Sequence, residues 1–177
     1  MSDIKVLSNG IIQVANNQEL VDKAKKIIAN NFVVNPRSVL KGQGNLQGAM
    51  GEVIFNYVFP EAEKVESYDY DFYWQNRKIE IKTKSANTSP TDNMDISIPV
   101  YSLEKQQCDS YVFIRILNDF TTAWILGGIT KQAYIERSTL YKKGFTDYNG
   151  YTFLWDARIL KIGNLRRLSD YYNSKSE

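Results

Sequence analysis

Asp71, Glu80 and Lys82 lie where the sequence repeats with a period of two. Residues 69–75 alternate polar and aromatic side chains, and residues 78–84 alternate lysine, glutamate or threonine with isoleucine. Such alternation marks two half-buried strands, and the polar residues between them mark a turn. With the turn centred on Asn76-Arg77, Gln75 faces Lys78, Trp74 faces Ile79 and Phe72 faces Ile81 on one side of a hairpin. The other side then carries Tyr73 opposite Glu80, Asp71 opposite Lys82 and Asp69 opposite Lys84, with facing Cβ atoms about 5 Å apart. A slip of one residue would mix isoleucines with aspartates on both faces, so the apolar pattern argues for this register. Taken alone, these charges are cross-strand ion pairs worth about 0.2–1 kcal/mol each, and Asp69 with Lys84 is read as one.

A helix supplies a fourth group. Leu46, Ala49, Met50, Val53, Ile54, Tyr57 and Val58 recur at helical spacing, and Pro60 closes the run. The main stripe centres on Met50, Val53 and Tyr57. Phe55 and Phe59 lie on another side beside Glu52, and Gly48, one turn earlier, leaves room for a neighbour. A carboxylate in that setting is partly buried and requires a partner. If Glu52, Asp71 and Glu80 share one pocket, each pair repels by about 3 kcal/mol at ~5 Å and an effective dielectric of ~20. Lys82 alone cannot cancel three such charges. A hard divalent cation such as Mg²⁺ could, and its remaining positions would accept phosphate oxygens and a water, the arrangement for phosphodiester hydrolysis.

The composition closes off other chemistries. The chain has no histidine and one cysteine, Cys108. Histidine-activated nucleophiles, His/Cys zinc clusters and an intramolecular disulfide are all excluded. Cys108 reads as a small core residue. Its 177 residues, 43% hydrophobic and 24% charged, suit a single globular domain spanning 1–177. The net charge of +2, from 22 basic and 20 acidic residues, is too small to argue for nucleic acid by itself. No apolar run approaches a membrane span and the first residues lack an apolar leader, so the expectation is a cytoplasmic protein with no membrane partner.

The flanking elements are read more coarsely. Residues 17–30 have helical spacing, with Lys23, Lys25 and Lys26 on a solvated face, and 35–45 is turn-rich. The Lys41-Gly42-Gln43-Gly44 stretch reads as a linker, and 85–95 as a loop. A short helix is expected over 100–107, then a hairpin of 111–117 and 121–127 turning at Asn118-Asp119. Thr130 should cap a helix running to Lys143, with Lys142 and Lys143 as its basic last turn and Gly144 after it. A last strand near 151–162 precedes a polar tail. Many of the 12 tyrosines have core-facing spacing. Strands interleaved with helices give an α/β class.

Several segments resemble the PD-(D/E)XK nuclease superfamily. They are Gly48-Ala49-Met50-Gly51-Glu52 on a helix, Tyr70-Asp71-Phe72 on a strand, Glu80-Ile81-Lys82 on the next, and Gln106-Gln107-Cys108-Asp109 before the apolar strand 111–117. The resemblance covers about 46–117, with 1–45 as an N-terminal helix and loop. It implies a restriction-endonuclease-like αβββαβ core, a central mixed sheet flanked by helices, extended over 118–177 by a hairpin, a helix and a strand. It further implies Mg²⁺-dependent cleavage of DNA, with Mn²⁺ substituting. Asp71, Glu80 and the backbone carbonyl of Ile81 would ligate the metal, and Glu52 would hold a metal or a metal-bound water. Lys82 would orient the attacking water and stabilise charge on the phosphate. Gln107, with Gln106 the alternative, would match a polar helper seen in some members. Cutting both strands would take a homodimer or two sequential nicks, and the compact form suits a bacterial or phage-infected cell. Tyr70 stands in place of the motif's proline, and the strand expected before Asp71 is marked only over 64–68. The second reading is a nuclease-fold DNA-binding or assembly module that does not hydrolyse.

Overall fold

Residues 110–117 read Ser-Tyr-Val-Phe-Ile-Arg-Ile-Leu, and every side chain but the last is buried. A strand buried on both faces belongs at the centre of a layered domain, and the rest of the chain is built around it. The computed structural model describes residues 3–15, 18–30 and 43–175, the side chains of 43–45 excepted. In chain order the elements are β1 (Ile4–Val6), β2 (Ile12–Ala15), α1 (Gln18–Asn30), α2 (Gln43–Val58), β3 (Glu63–Lys64), β4 (Phe72–Trp74), β5 (Arg77–Ala86) and β6 (Asp95–Pro99). These are followed by α3 (Val100–Lys105), β7 (Ser110–Leu117), β8 (Thr122–Thr130), α4 (Lys131–Arg137), β9 (Thr139–Tyr141), β10 (Ala157–Lys161) and α5 (Ser169–Asn173).

The class is α/β, with a large mixed sheet flanked by helices. Seven strands pair in the order β1-β2-β8-β7-β5-β4-β3, and β5 with β7 is the parallel pair among them. A second sheet, β6-β10-β9, is antiparallel. Alternation along β7 divides the core in two. Val112, Ile114 and Ile116 join α1, α2, Phe72, Trp74, Ile79 and Ile81 on one side. Tyr111 and Phe113 join Ile96, Ile98, Leu103, Tyr134 and Leu160, from the small sheet and the short helices, on the other. Of the described residues, no helix is long and apolar enough to cross a membrane.

Several expectations need correction. The segment read as a linker is helical from Gln43, so only Lys41 and Gly42 of it lie outside the described residues. The loop assigned to 85–95 is shorter, since β5 continues to Ala86 and Asp95 opens β6. Thr130 does cap α4, accepting from the Ala133 N–H at 3.2 Å, but the helix ends at Arg137. Ser138 is extended and the β-branched Thr139 pairs with Ile159, so β9 replaces the helix's second half. Lys142 therefore ends no helix, and pairs with Asp156 at 2.8 Å. The hairpin β1-β2 falls where no element was expected, and the polar tail contains α5, whose Tyr171 packs on Trp74 with centroids 5.2 Å apart.

Candidate active site

The hairpin that carries Asp71 and Glu80 turns one residue earlier than the sequence reading places it. Gln75 and Asn76 occupy the turn with φ of +51° and +57°, and the pairs are Trp74 with Arg77, Tyr73 with Lys78 and Phe72 with Ile79. A two-residue turn of this hand needs positive φ at both central positions, which asparagine tolerates well. Moving the turn by one residue shifts every pair by two, and a shift of two leaves each side chain on its original face. Phe72, Trp74, Ile79 and Ile81 are accordingly buried together, as expected, but Asp71 no longer falls opposite Lys82.

Regular pairing stops at Asp71 instead. Its N–H donates to the Ile79 carbonyl at 2.9 Å, although Ile79 is already the partner of Phe72. Two residues addressing one is the count of a β-bulge, which re-aims a side chain at a strand end. The Asp71 carboxylate turns onto β5 and accepts the Ile81 N–H at 2.8 Å, a donor that β4 no longer covers. The N–H and C=O of one strand residue point to the same edge, so the Ile81 carbonyl opens onto the same gap.

Glu52 reaches the gap from the helix layer. A Cβ on Gly51 would sit 1.8 Å from Thr83 Oγ1 and 2.9 Å from Thr83 Cβ. The bare backbone of Gly51 thus lets α2 lie against β5 beside the site. Gly48, expected to make room, has nothing within 4 Å. Phe55 and Phe59 are fully buried against Phe72 and Trp74, with ring centroids 4.7–5.5 Å apart, and they fix the helix on the hairpin. Lys64 of β3 completes this side. Its Nζ is 2.5 Å from Glu52 Oε2 and 3.9 Å from Asp71 Oδ1, and lies over the ring of Phe72. Sequence reasoning missed Lys64, whose one signal was its place in the weakly marked strand before Asp71.

Glu80 projects from the opposite face of β5, since its neighbours Ile79 and Ile81 point into the helix-side core. Lys82 Nζ lies 3.1 Å from Glu80 Oε1 and over the ring of Tyr111. Gln106 Nε2 donates to the same Oε1 at 2.7 Å. Of the two glutamines, Gln106 and not the expected Gln107 is the one that meets Glu80. Helix α3 ends at Lys105 and Gln106 takes an extended conformation that sends its amide to Glu80, whereas Gln107 is exposed. Lys131 Nζ holds the Gln106 carbonyl at 2.6 Å. The expected pair of Asp69 with Lys84 is not formed among the described residues, since Asp69 precedes β4 and Lys84 lies beside Arg115 and Asp95.

Glu52, Asp71, Glu80 and Lys82 thus come together, joined by Lys64 and Gln106. Burial raises the Glu52 carboxyl above its ordinary range, and Asp71 adds to this against the pull of Lys64. Burial also pushes Glu80 up to about 7, opposed by Lys82 and reinforced by Asp71 and Glu52. When all three are ionised, three carboxylates against two ammonium groups leave one negative charge uncompensated, and burial keeps Glu80 partly protonated near pH 7 instead. The donors are all oxygens, the chemistry of a hard divalent cation, and Gln106 Oε1 beside Glu80 is buried with no hydrogen-bond partner among the described residues. By donor type and charge the residues fit such an ion. They are not gathered to ligating distance, since no group of three acidic side chains stands at metal-binding spacing among the described residues. The Lys64 ammonium occupies the space between Glu52 and Asp71. No protein-family model matches the chain, and no curated protein matches it significantly.

Proposed function

We propose that the protein is a metal-dependent deoxyribonuclease that hydrolyses phosphodiester bonds within DNA. The observation that carries this reading is the meeting of Glu52, Asp71 and Glu80 with Lys82 at one break in the sheet, the carboxyls of Glu52 and Glu80 raised by burial and by Asp71 beside both. Asp71, Glu80 and the Ile81 carbonyl would hold Mg²⁺ or Mn²⁺, with Glu52 behind them. When bound, the ion supplies Lewis-acid polarisation of the phosphate and acidifies a bound water. Lys82, anchored on Glu80 and Tyr111, would orient the attacking water and stabilise charge developing on the phosphate. Gln106 fixes the rotamer of Glu80. Lys64 would have to release Glu52 for that carboxylate to serve the ion, and its partly exposed side chain leaves room for it to do so.

Supercoiled plasmid and single-stranded DNA, incubated with Mg²⁺ or Mn²⁺ against an EDTA control, test the proposal. Metal-dependent cutting that Lys82→Ala abolishes supports it. Cutting by Glu80→Ala and Lys82→Ala at the parent's rate would sink it. The second reading, a DNA-binding or assembly module without hydrolysis, draws on the Lys64–Glu52 pair, which already places a cation among the carboxylates. Titration calorimetry separates the two, because that module requires no Mg²⁺ or Mn²⁺ binding.

A further inference from the structure

Beyond Lys82 the outward face of β5 continues to Lys84, and the register sets Lys84 directly opposite Arg115 of β7. Like charges in that position repel. The nearby acid does not resolve the conflict. Arg115 is buried and donates to the backbone carbonyl of Asp95 at 2.5 Å, while the Asp95 carboxylate is taken by Lys161 at 2.6 Å. Lys84, Arg115 and Lys161 therefore share one carboxylate, a surplus of two positive charges. Burial and Arg115 hold the Lys84 ammonium below its usual range.

Lys84 and Arg115, with Asp95, line one wall of a groove of about 760 Å³ whose other wall is the 145–155 loop, including Asp147. That loop is built rather than slack. Asp147 accepts the N–H groups of Asn149 and Tyr151 at 2.9 and 3.0 Å, and Thr146 bridges to Thr152. Its aromatics are nonetheless open to solvent: Tyr148 is 82%, Tyr151 55% and Trp155 49% exposed. Lys161 lies over one face of Tyr148 and Lys143 over one face of Trp155, and exposed rings beside Lys84 and Arg115 are the two elements of a strand-binding surface, phosphate contacts to position the backbone and flat faces for bases.

We propose that this groove binds single-stranded DNA, with a phosphate between Lys84 and Arg115 and unpaired bases stacked on Tyr148, Tyr151 and Trp155. Unpaired bases are required because a duplex buries the faces that these rings would cover. The inference rests on the nuclease reading only in its consequence. Lys84 lies four residues along the same face from Glu80, about 13 Å at the strand rise, so a strand held here passes the carboxylate gap.

The test is a titration in EDTA, where hydrolysis cannot occur, with an oligo-dT of about 20 nucleotides, longer than the ~4–16-nucleotide site of a typical binding fold. Trp74 and Trp124 are buried, so quenching of tryptophan emission by a stacked base reports Trp155. Expected are quenching by oligo-dT and binding at least about tenfold tighter than to the matching duplex. Trp155→Leu should remove the quench and weaken binding about 5- to 50-fold. Lys84→Gln should lower the slope of log affinity against log salt by about 0.7. Tyr148→Ser, at the most exposed of the three rings, should weaken binding with no change in melting temperature. Equal or tighter duplex binding, indifference of oligo-dT affinity to all three substitutions, or a groove filled by self-association of the chain would each overturn the proposal. Oligo-dT binding with no metal-dependent cleavage would remove the nuclease reading and leave this one. Plasmid cleavage without oligo-dT binding would do the reverse.

Discussion

Lys82 and Lys84 are two residues apart on one face of one strand, and their surroundings are opposite in sign. Lys82 stands among Glu80, Asp71 and Glu52, where acids outnumber bases and burial raises the Glu80 carboxyl to about 7. Lys84 stands opposite Arg115, where bases outnumber acids and the ammonium is depressed. Behind both runs the same apolar layer, Ile79 and Ile81 packed on α2. That layer anchors the strand, so unfavourable charge can accumulate at either end without the sheet opening. A site short of a cation beside one short of an anion suits a metal ion at one end and, at the other, a neighbouring phosphate of the same strand, about 13 Å along β5. The contrast between the ends carries more than either site does, because an isolated ion pair on a strand is ordinary.

The sharpest way to break the comparison is to disarm the acidic end. Removing the Lys82 ammonium by Lys82→Ala should reduce metal-dependent cleavage by about 10²–10³-fold, the cost of losing one group that stabilises transition-state charge. Binding of oligo-dT in EDTA should stay within about twofold of the parent, a span of under ~0.5 kcal/mol. Plasmid nicking rates and the fluorescence titration, run on the same preparation, check both halves. A parallel fall in binding would mean that the two ends act as one site.

Next in size is the support beneath Glu52. Gly51→Ala brings a Cβ to 1.8 Å from Thr83 Oγ1, so either Thr83 or the helix must move. Overpacking of this kind costs about 1–3 kcal/mol, a fall of about 2–10 °C in Tm for a chain of this size. Thermal melts should show it, with recovery of at least half in Gly51→Ala/Thr83→Ala. Gly48→Ala, into open space, serves as the control and should raise stability slightly through helix propensity. If Gly51→Ala melts with the parent, α2 is not seated through Gly51.

A comparable effect belongs to pH. Burial pushes Glu80 in the folded chain up to about 7 from its ordinary 4.5, so between those values the native state holds a proton that the unfolded state has released. Stability contributed by that proton is present below about 4.5, falls as pH rises, and is gone above about 7. The loss amounts to at most about 3 kcal/mol. Glu80→Gln should therefore melt above the parent at pH 8 and nearly with it at pH 4.5, while losing cleavage. Urea denaturation at both pH values measures the difference. Equal stabilities at pH 8 would mean that Glu80 carries no strained charge.

The two ends also differ in how far the sequence disclosed them. The partition of residues 72–82 between two faces was legible because it depends on parity alone, and the shift in hairpin register left it intact, whereas the bulge at Asp71 turned Tyr70 and Asp71 away from the faces that parity gives them. The helix bearing Glu52 was legible from its period. Lys64 was hidden because a strand of two exposed residues, Glu63 and Lys64, has no pattern to read. Choosing between Gln106 and Gln107 required the last residue of α3, and helix ends are the least determined feature of any pattern. The aromatic loop was opaque for a different reason. Tyrosines at core-like spacing read as buried, but Asp147 and the positive φ of Gly150 fold that segment into a tight turn with Tyr148 and Tyr151 outside. Such local turn chemistry overrides spacing.

Lys64 gives the smallest expected effect and the finest test of the acidic end. Its ammonium sits between Glu52 and Asp71 as the internal counterpart of a metal ion. Lys64→Met keeps an unbranched apolar stem of similar length and removes the charge, so three carboxylates are left facing Lys82 alone. A divalent ion then enters without displacing a competitor, and Mn²⁺ affinity should rise about 5- to 10-fold at low salt. That corresponds to about 1 kcal/mol for a partly exposed charge, shrinking as salt screens it. Lys64→Arg should restore the parent's affinity, which calorimetry can resolve. If Mn²⁺ binding is unchanged in Lys64→Met while DNA binding weakens, Lys64 is a phosphate contact. The charge deficit at the acidic end would then be one unit larger than the pairing with Glu52 implies, and the contrast between Lys82 and Lys84 would be steeper.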